Sequence, residues 1–187
     1  MEEQQVLLKA ARSAISALLG ADCHPPEATA DTLPALMETH GCFVTLHKAG
    51  KLRGCIGTIE PANALIINVK DNAIKAAFSD PRFPPVTAEE LPEIEIEISV
   101  LTIPKLLDYT DAEDLLRKLE PGVHGVILSQ GWHAATFLPQ VWAQLPRKES
   151  FLSNLCVKAG LPQTAWKDKK THVKVYEVTY FSESSNC

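Results

Sequence analysis

Arg53 and Cys55 stand two residues apart in the stretch Leu52-Arg53-Gly54-Cys55-Ile56-Gly57, with glycines bracketing the cysteine. The thiolate is the nucleophilic and metal-binding form of cysteine, and a cationic neighbour favours it. Along a regular strand, residues two apart share a face at about 7 Å. That spacing aims the Arg53 guanidinium to stabilise an anion at Cys55. Gly54 and Gly57 leave room for a ligand or another backbone to approach the strand. The chemistry implied is that of a nucleophile or a thiolate ligand. The competing reading is packing, since free cysteine is among the most buried residue types.

Other groups join this site only through the fold. His124, in Pro121-Gly122-Val123-His124-Gly125, suits a general base or an orienting donor for a cysteine, or a half-buried ring satisfied by backbone groups. His133 carries the same two readings. Arg82, in the stiff Asp80-Pro81-Arg82-Phe83-Pro84-Pro85-Val86 loop, would present a fork to an anionic substrate, or pair with Asp80 and cap a carbonyl. Glu93, Glu95 and Glu97 alternate as a cation-binding row would, and equally as the solvated face of an antiparallel strand. Trp132, Trp142 and Trp166 suit either a cleft lining or a core. Lys167, Lys169 and Lys170 beside Trp166 form a short basic patch. No HExxH, CxxC, GxxxxGK[ST] or GxGxxG motif occurs, so no metal site is predicted, nucleoside triphosphate and dinucleotide binding are unsupported, and the cofactor is left unknown.

These residues need elements to hold them. Apolar spacing through Val6, Leu7, Ala10, Ala14 and Leu18 predicts a helix from Gln5 to Leu19, stopped at Gly20. The proline-rich connection that follows is expected to clamp through Leu33, Leu36 and Met37. Cys42–His47 and Leu52–Ile59 read as a hairpin with a longer loop over Lys48–Lys51. Pro61 suits the first turn of a helix carrying Leu65, Ile66, Val69, Ala73 and Ala77 inward, and Asp80-Pro81 ends it. Thr87 to Glu90 fits a capping box for one helical turn. Ile94, Ile96, Ile98 and Val100 then alternate with glutamates as a strand. Thr110 to Glu113 opens another helix that Pro121-Gly122 closes, Val123–Leu128 and Trp132–Leu138 form a second hairpin turning at Ser129-Gln130-Gly131, and Phe151–Ala159 is helical with Gly160 as its stop. His172–Phe181 reads as one closing strand and the polar residues after it as a frayed tail. The fold class is α+β, with mainly antiparallel sheet, flanking helices and two intimate subdomains.

Composition agrees with one compact chain. The 187 residues are 45% hydrophobic and 22% charged, values ordinary for globular proteins. A net charge of −5 argues against nucleic-acid binding over the whole surface. The N-terminal helix opens acidic and mixes Lys9 and Arg12 into its apolar pattern, unlike a signal peptide or membrane span. Cysteines at 23, 42, 55, 156 and 187 are scattered and odd in number, which points to a reducing cytoplasm.

LRGCIG, DPRFPPV, LPEIEIEISVL, GVHGVIL, TFLPQVW and FLSNLCVKAGLP occur in one order, from about Gln5 to Phe181. In that order the chain resembles the AMMECR domain family, known in microbes as AmmeMemoRadiSam system protein A. The resemblance implies a single cytoplasmic domain over residues 1–181. It implies two subdomains, the larger built from both chain ends around an antiparallel sheet, with LRGCIG near the cleft. It also implies a Memo-like protein and a radical S-adenosylmethionine enzyme as partners, and implies no known reaction. Gln140 of TFLPQVW joins Gly54, Gly57 and Arg82 as binding candidates, beside Cys55, Arg53 and His124 as catalytic ones. His133-Ala134-Ala135 stands where relatives often place an arginine before TFLP. The alternative function is a non-catalytic adaptor or binding module for a partner protein or nucleic acid, nucleic acid being the weaker of the two.

Overall fold

The structure is a computed structural model that describes residues 2–20 and 34–184. Leu33, with the proline-rich connection, and the last three residues of the tail lie outside those described. The chain divides into two compact units, Met1–Leu101 with Thr179–Cys187, and Thr102–Val178. Each has its own sheet and its own apolar core.

In the first unit, helix α1 (Glu2–Leu18) precedes β1 (Cys42–Lys48) and β2 (Lys51–Thr58); helix α2 (Leu65–Phe78) and β3 (Ile94–Leu101) follow. β8 (Val178–Ser182) completes the sheet in the order β2-β1-β3-β8, so β2 and β8 are its edges. The helix stripe holds at Leu7 and Ala10 and otherwise differs from the expected one. Leu7, Leu8, Ala11 and Ile15 are buried while Leu18 is exposed, because the core lies against the 8-11-15 face. Leu36 is buried as expected, and Met37 is exposed. α2 starts at Leu65, after an Ala64 N-cap, so Pro61 belongs to the approach rather than the first turn.

Alternation decides what each strand buries. Cys42, Val44 and Leu46 of β1 and Ile94, Ile96 and Ile98 of β3 face inward, packed with Ile66, Val69, Ala73 and Ala77 of α2. The β1–β2 connection is tighter than expected. Lys48 pairs Lys51, leaving a two-residue turn in which Ala49 (φ 49) and Gly50 (φ 72) both have the left-handed backbone of a type I′ turn.

The second unit contains β4 (Lys105–Leu106), α3 (Ala112–Lys118), β5 (Gly125–Gln130), β6 (His133–Phe137), α4 (Lys148–Lys158) and β7 (His172–Tyr176), with sheet order β4-β7-β5-β6. The N-cap of α3 is Asp111, which accepts from the Asp114 N–H, one residue beyond the capping box expected at Thr110. α4 ends as its sequence indicates. Gly160 (φ 75) donates to Val157 O and Leu161 to Cys156 O, a Schellman motif. Trp142 stacks on Phe151 at 3.6 Å between ring centroids, and Trp142 and Trp166 are core residues. Trp132 is the opposite, at the tip of the β5–β6 hairpin.

The expected closing strand is two strands. It breaks at Glu177, where Glu177 N–H donates to Thr102 Oγ1 (2.9 Å) and its carbonyl accepts from Thr102 N–H (3.0 Å), so β7 and β8 enter different sheets. The start of the tail is likewise fixed rather than frayed. Ser182 closes β8, and Glu183 accepts from Arg12 Nη2 (2.5 Å), Arg12 Nε (2.6 Å) and Ile96 N–H (2.9 Å).

Candidate functional site

The residues around Cys55 are set by one irregularity in β2. Thr45 faces Cys55 and Leu46 faces Gly54, but His47 faces Leu52, so Arg53 is the extra residue of a bulge. A bulge interrupts strand alternation and re-aims the side chain there. The regular spacing expected to aim Arg53 at Cys55 is therefore broken. Arg53 instead makes a two-pronged ion pair with Glu90, Nε to Oε1 at 2.9 Å and Nη2 to Oε2 at 3.0 Å, and Nη2 also donates to Pro84 O at 2.9 Å. Only 11% of its side chain is exposed, and its buried Nη1 has no hydrogen-bond partner among the described residues. Lys48 adds a second cation to Glu90 at 3.3 Å.

The backbone of Cys55 lies on the outer edge of the sheet and is closed by the DPRFPPV loop. Its N–H donates to Asp80 Oδ2 at 2.9 Å, and its carbonyl accepts from Arg82 Nη2 at 3.3 Å. Asp80 also accepts from Arg82 Nε (2.9 Å), Nη2 (2.6 Å) and N–H (3.1 Å), with 2% of its side chain exposed. A carboxylate and a guanidinium thus take the place of a neighbouring strand, which blunts an edge that would otherwise template pairing. Both of the plainer roles for Arg82, pairing with Asp80 and capping a carbonyl, are realised together. Phe83 lies under both guanidiniums, 5.9 Å from Arg53 and 5.5 Å from Arg82.

The Cys55 thiol accepts a hydrogen bond from Thr45 Oγ1 at 3.3 Å. It is half-buried, whereas Cys42 and Cys156 are buried. Burial pushes the Cys42 thiol up to about 11, and Asn72, which donates to its sulfur, opposes that rise.

The room expected at the glycines is filled from within the protein. A Cβ on Gly54 would lie 2.2 Å from Ala76 O on α2, and one on Gly57 would lie 2.2 Å from the Phe43 ring. Gly54 lets the helix backbone touch the sheet, and Gly57 is covered by its cross-strand partner Phe43. Neither position is vacant for a ligand.

The remaining candidates belong to the second unit. His124 Nδ1 accepts from the Glu120 N–H at 3.1 Å, and the His124 carbonyl accepts from Trp142 Nε1 at 2.8 Å. This is the backbone-satisfied histidine rather than one brought to a cysteine within its unit. His133 Nδ1 lies 3.0 Å from Ala159 O. Gln140 is exposed in a short 3-10 helix, Pro139–Ala143. The structure brings together Arg53, Cys55 and Arg82, and adds Asp80, Glu90 and Thr45. Asp80 had a signal in the Asp-Pro-Arg spacing. Glu90 was hidden by its apparent place in a capping box, and Thr45 depends on the bulge.

The ion pairs make the first unit acid-sensitive. Arg53, with Lys48 adding to it, holds the Glu90 carboxyl down to about 2 from its ordinary 4.5, against the opposing effect of burial. Arg82, helped by the Cys55 and Arg82 N–H groups, holds Asp80 well below the usual carboxylate range. Each carboxyl takes up protons more readily when unfolded, so this stabilisation is present above about pH 4.5 and is lost as pH falls toward 2. Thermal unfolding followed from pH 6 to pH 2 is expected to show a melting temperature that falls below about pH 4.5. A Glu90→Gln variant is expected to fall less steeply, and parallel curves for the two proteins would contradict the assignment.

Two antiparallel-paired four-strand sheets, each packed on helices, define an α+β protein with an ion-paired cysteine edge. The AMMECR1 family pattern matches residues 8–181, and the chain belongs to that family. A Methanothermobacter thermautotrophicus protein is 41% identical over 186 residues, covering 97% of this chain and 95% of the relative. A Thermococcus onnurineus protein is 40% identical over 189 residues, covering 96% and 89%. The crystal structure of the uncharacterized protein PH0010 from Pyrococcus horikoshii is similar with a TM-score of 0.82 and 39% identity, covering 95% of this chain and 89% of that one. Among the described residues, no helix is long and apolar enough to cross a membrane.

Proposed function

We propose that this AMMECR1-family chain is a binding component for a partner protein, with the LRGCIG edge as its rigid frame. The observation that carries this reading is that the charged groups around Cys55 are committed to one another. Arg53 closes on Glu90 and Arg82 on Asp80, while Gly54 and Gly57 are filled by Ala76 and Phe43. Such a site holds a strand edge in one shape and keeps neither arginine free for an anionic substrate. The resemblance to AmmeMemoRadiSam system protein A supplies the partner classes, a Memo-like protein and a radical S-adenosylmethionine enzyme in the cytoplasm.

A second reading, thiol-dependent chemistry at Cys55, is favoured by the hydroxyl of Thr45 donating to the sulfur. Such a bond orients the sulfur lone pairs and strengthens as charge develops on them. Two measurements separate the readings. Under the binding reading, a Cys55→Ala variant of unchanged melting temperature co-purifies with a Memo-like or radical S-adenosylmethionine partner as the parent protein does. In the parent protein, Cys55 then alkylates with iodoacetamide no faster than glutathione. Alkylation well above that rate, slowed in Thr45→Val, would replace the binding reading with the thiol one.

A further inference from the structure

At one end of the second sheet, Trp132 stands fully exposed (103%) on the two-residue turn of the β5–β6 hairpin, led by Gly131 (φ 60). A tryptophan so placed contributes nothing to the core. What lies beside it follows from the register. Ser129 pairs His172, so the hairpin tip is next to the segment that leads into β7, Lys167-Asp168-Lys169-Lys170. Gln130 Nε2 donates to Asp168 Oδ2 at 3.1 Å, and the Lys170 N–H donates to Asp168 Oδ1 at 3.0 Å. The one carboxylate of the segment is therefore turned to local hydrogen bonds, and it ties the lysine loop to the hairpin.

Lys167, Lys169 and Lys170 are all exposed. Lys167 lies 5.0 Å over the Trp166 ring, while the side chains of Lys169 and Lys170 have no ion pair among the described residues. Lys167 and Lys169 also border a cavity of about 420 Å³, whose other walls include Tyr109, Thr110 and His172. The residues Thr102–Val178 carry an excess of lysine and arginine over aspartate and glutamate, although the whole chain is acidic.

We propose that Trp132 and the Lys167–Lys170 loop form a binding site for single-stranded nucleic acid, with a base stacked on Trp132 and the backbone phosphates on Lys169 and Lys170. Stacking needs a planar face open to solvent, and phosphates need cations that are not already paired; this patch supplies both. An acidic peptide would use the lysines, whereas a nucleic acid also brings an aromatic base for Trp132 with every phosphate. The site lies wholly in the second unit and is independent of the reading given for the LRGCIG edge.

The test is fluorescence anisotropy of a short labelled oligothymidylate with the full chain. Binding is expected at low salt and is expected to weaken as salt is raised. Trp132→Ala is expected to weaken it about tenfold or more, and Trp132→Phe to restore most of it. Replacing Lys169 and Lys170 together by glutamine is expected to lower the slope of log affinity against log salt by about 1.4, near 0.7 for each phosphate that is no longer neutralised. All of these positions are exposed, so the variants are expected to keep the parent melting temperature. Absence of salt-dependent binding would overturn the proposal, as would binding indifferent to Trp132→Ala. Displacement of the oligonucleotide by oligoglutamate at equal charge would overturn it in favour of an acidic peptide.

Discussion

Replacing Gly54 by alanine is expected to cost about 3 kcal/mol and to lower the melting temperature by roughly 10 °C. The added methyl would sit 2.2 Å from Ala76 O and 3.2 Å from the Ala76 carbonyl carbon. Both are main-chain atoms in the last turn of α2, so no side-chain rotation relieves the overlap. Either the helix lifts from the sheet, separating Ala73 and Ala77 from Leu46 and Ile96, or β2 leaves its register with β1. Each route disturbs a core whose members are almost wholly buried. Gly57→Ala is the informative control. Its nearest neighbours are atoms of the Phe43 ring, which can rotate, although Cys42 O at 2.7 Å limits the gain. The smaller loss is expected there. A melting temperature unchanged by Gly54→Ala would show that the glycine is not a helix–sheet contact.

The second large effect is expected at Glu90. Glu90→Ala removes both acceptors of the Arg53 fork and leaves a guanidinium that is 11% exposed with Pro84 O as its remaining hydrogen-bond acceptor. Uncovering one member of a largely buried pair in this way costs about 3 kcal/mol or more. Arg53 Nη1 already lacks a partner among the described residues. The pair itself need not be stabilising relative to apolar residues of similar size. A double variant, Arg53→Met with Glu90→Leu, is therefore expected to recover most of the loss, because no charge is then left uncovered. Chemical denaturation of the four proteins in a double-mutant cycle measures this directly. A Glu90→Ala protein as stable as its parent would sink the assignment. Because the same carboxyl is held down to about 2, Glu90→Ala is also expected to lose part of the acid sensitivity of the first unit.

Taken together, these effects describe Arg53, Asp80, Arg82 and Glu90 as the frame around Cys55. The two glycines of LRGCIG bring a helix and an aromatic ring against the strand, and the two ion pairs close the strand edge. What this frame surrounds is the half-buried Cys55 thiol with the Thr45 hydroxyl on its sulfur, the feature that separates the two functional readings.

Much of the fold is written in short-range pattern. The strict alternation of Ile94, Ile96 and Ile98 with glutamates defines β3, because a strand turns successive side chains to opposite faces. Gly160 after Ala159 defines the end of α4, because glycine accepts the left-handed backbone that a Schellman motif requires. Six motifs in one order were enough for the family. By contrast, the site depended on facts that no local pattern carries. The bulge at Arg53 is a matter of register between two strands, and it decided that the arginine meets Glu90, 37 residues away, rather than the cysteine two residues away. The room beside Gly54 was decided by where α2 packs, and the division of His172–Phe181 into two strands by which sheet each half joins. Helical and strand periodicity follow from the geometry of a few neighbouring residues and are therefore in the sequence. Which distant charge or carbonyl fills a given space is settled only when the sheets and helices close on one another, and there tertiary structure alone decided.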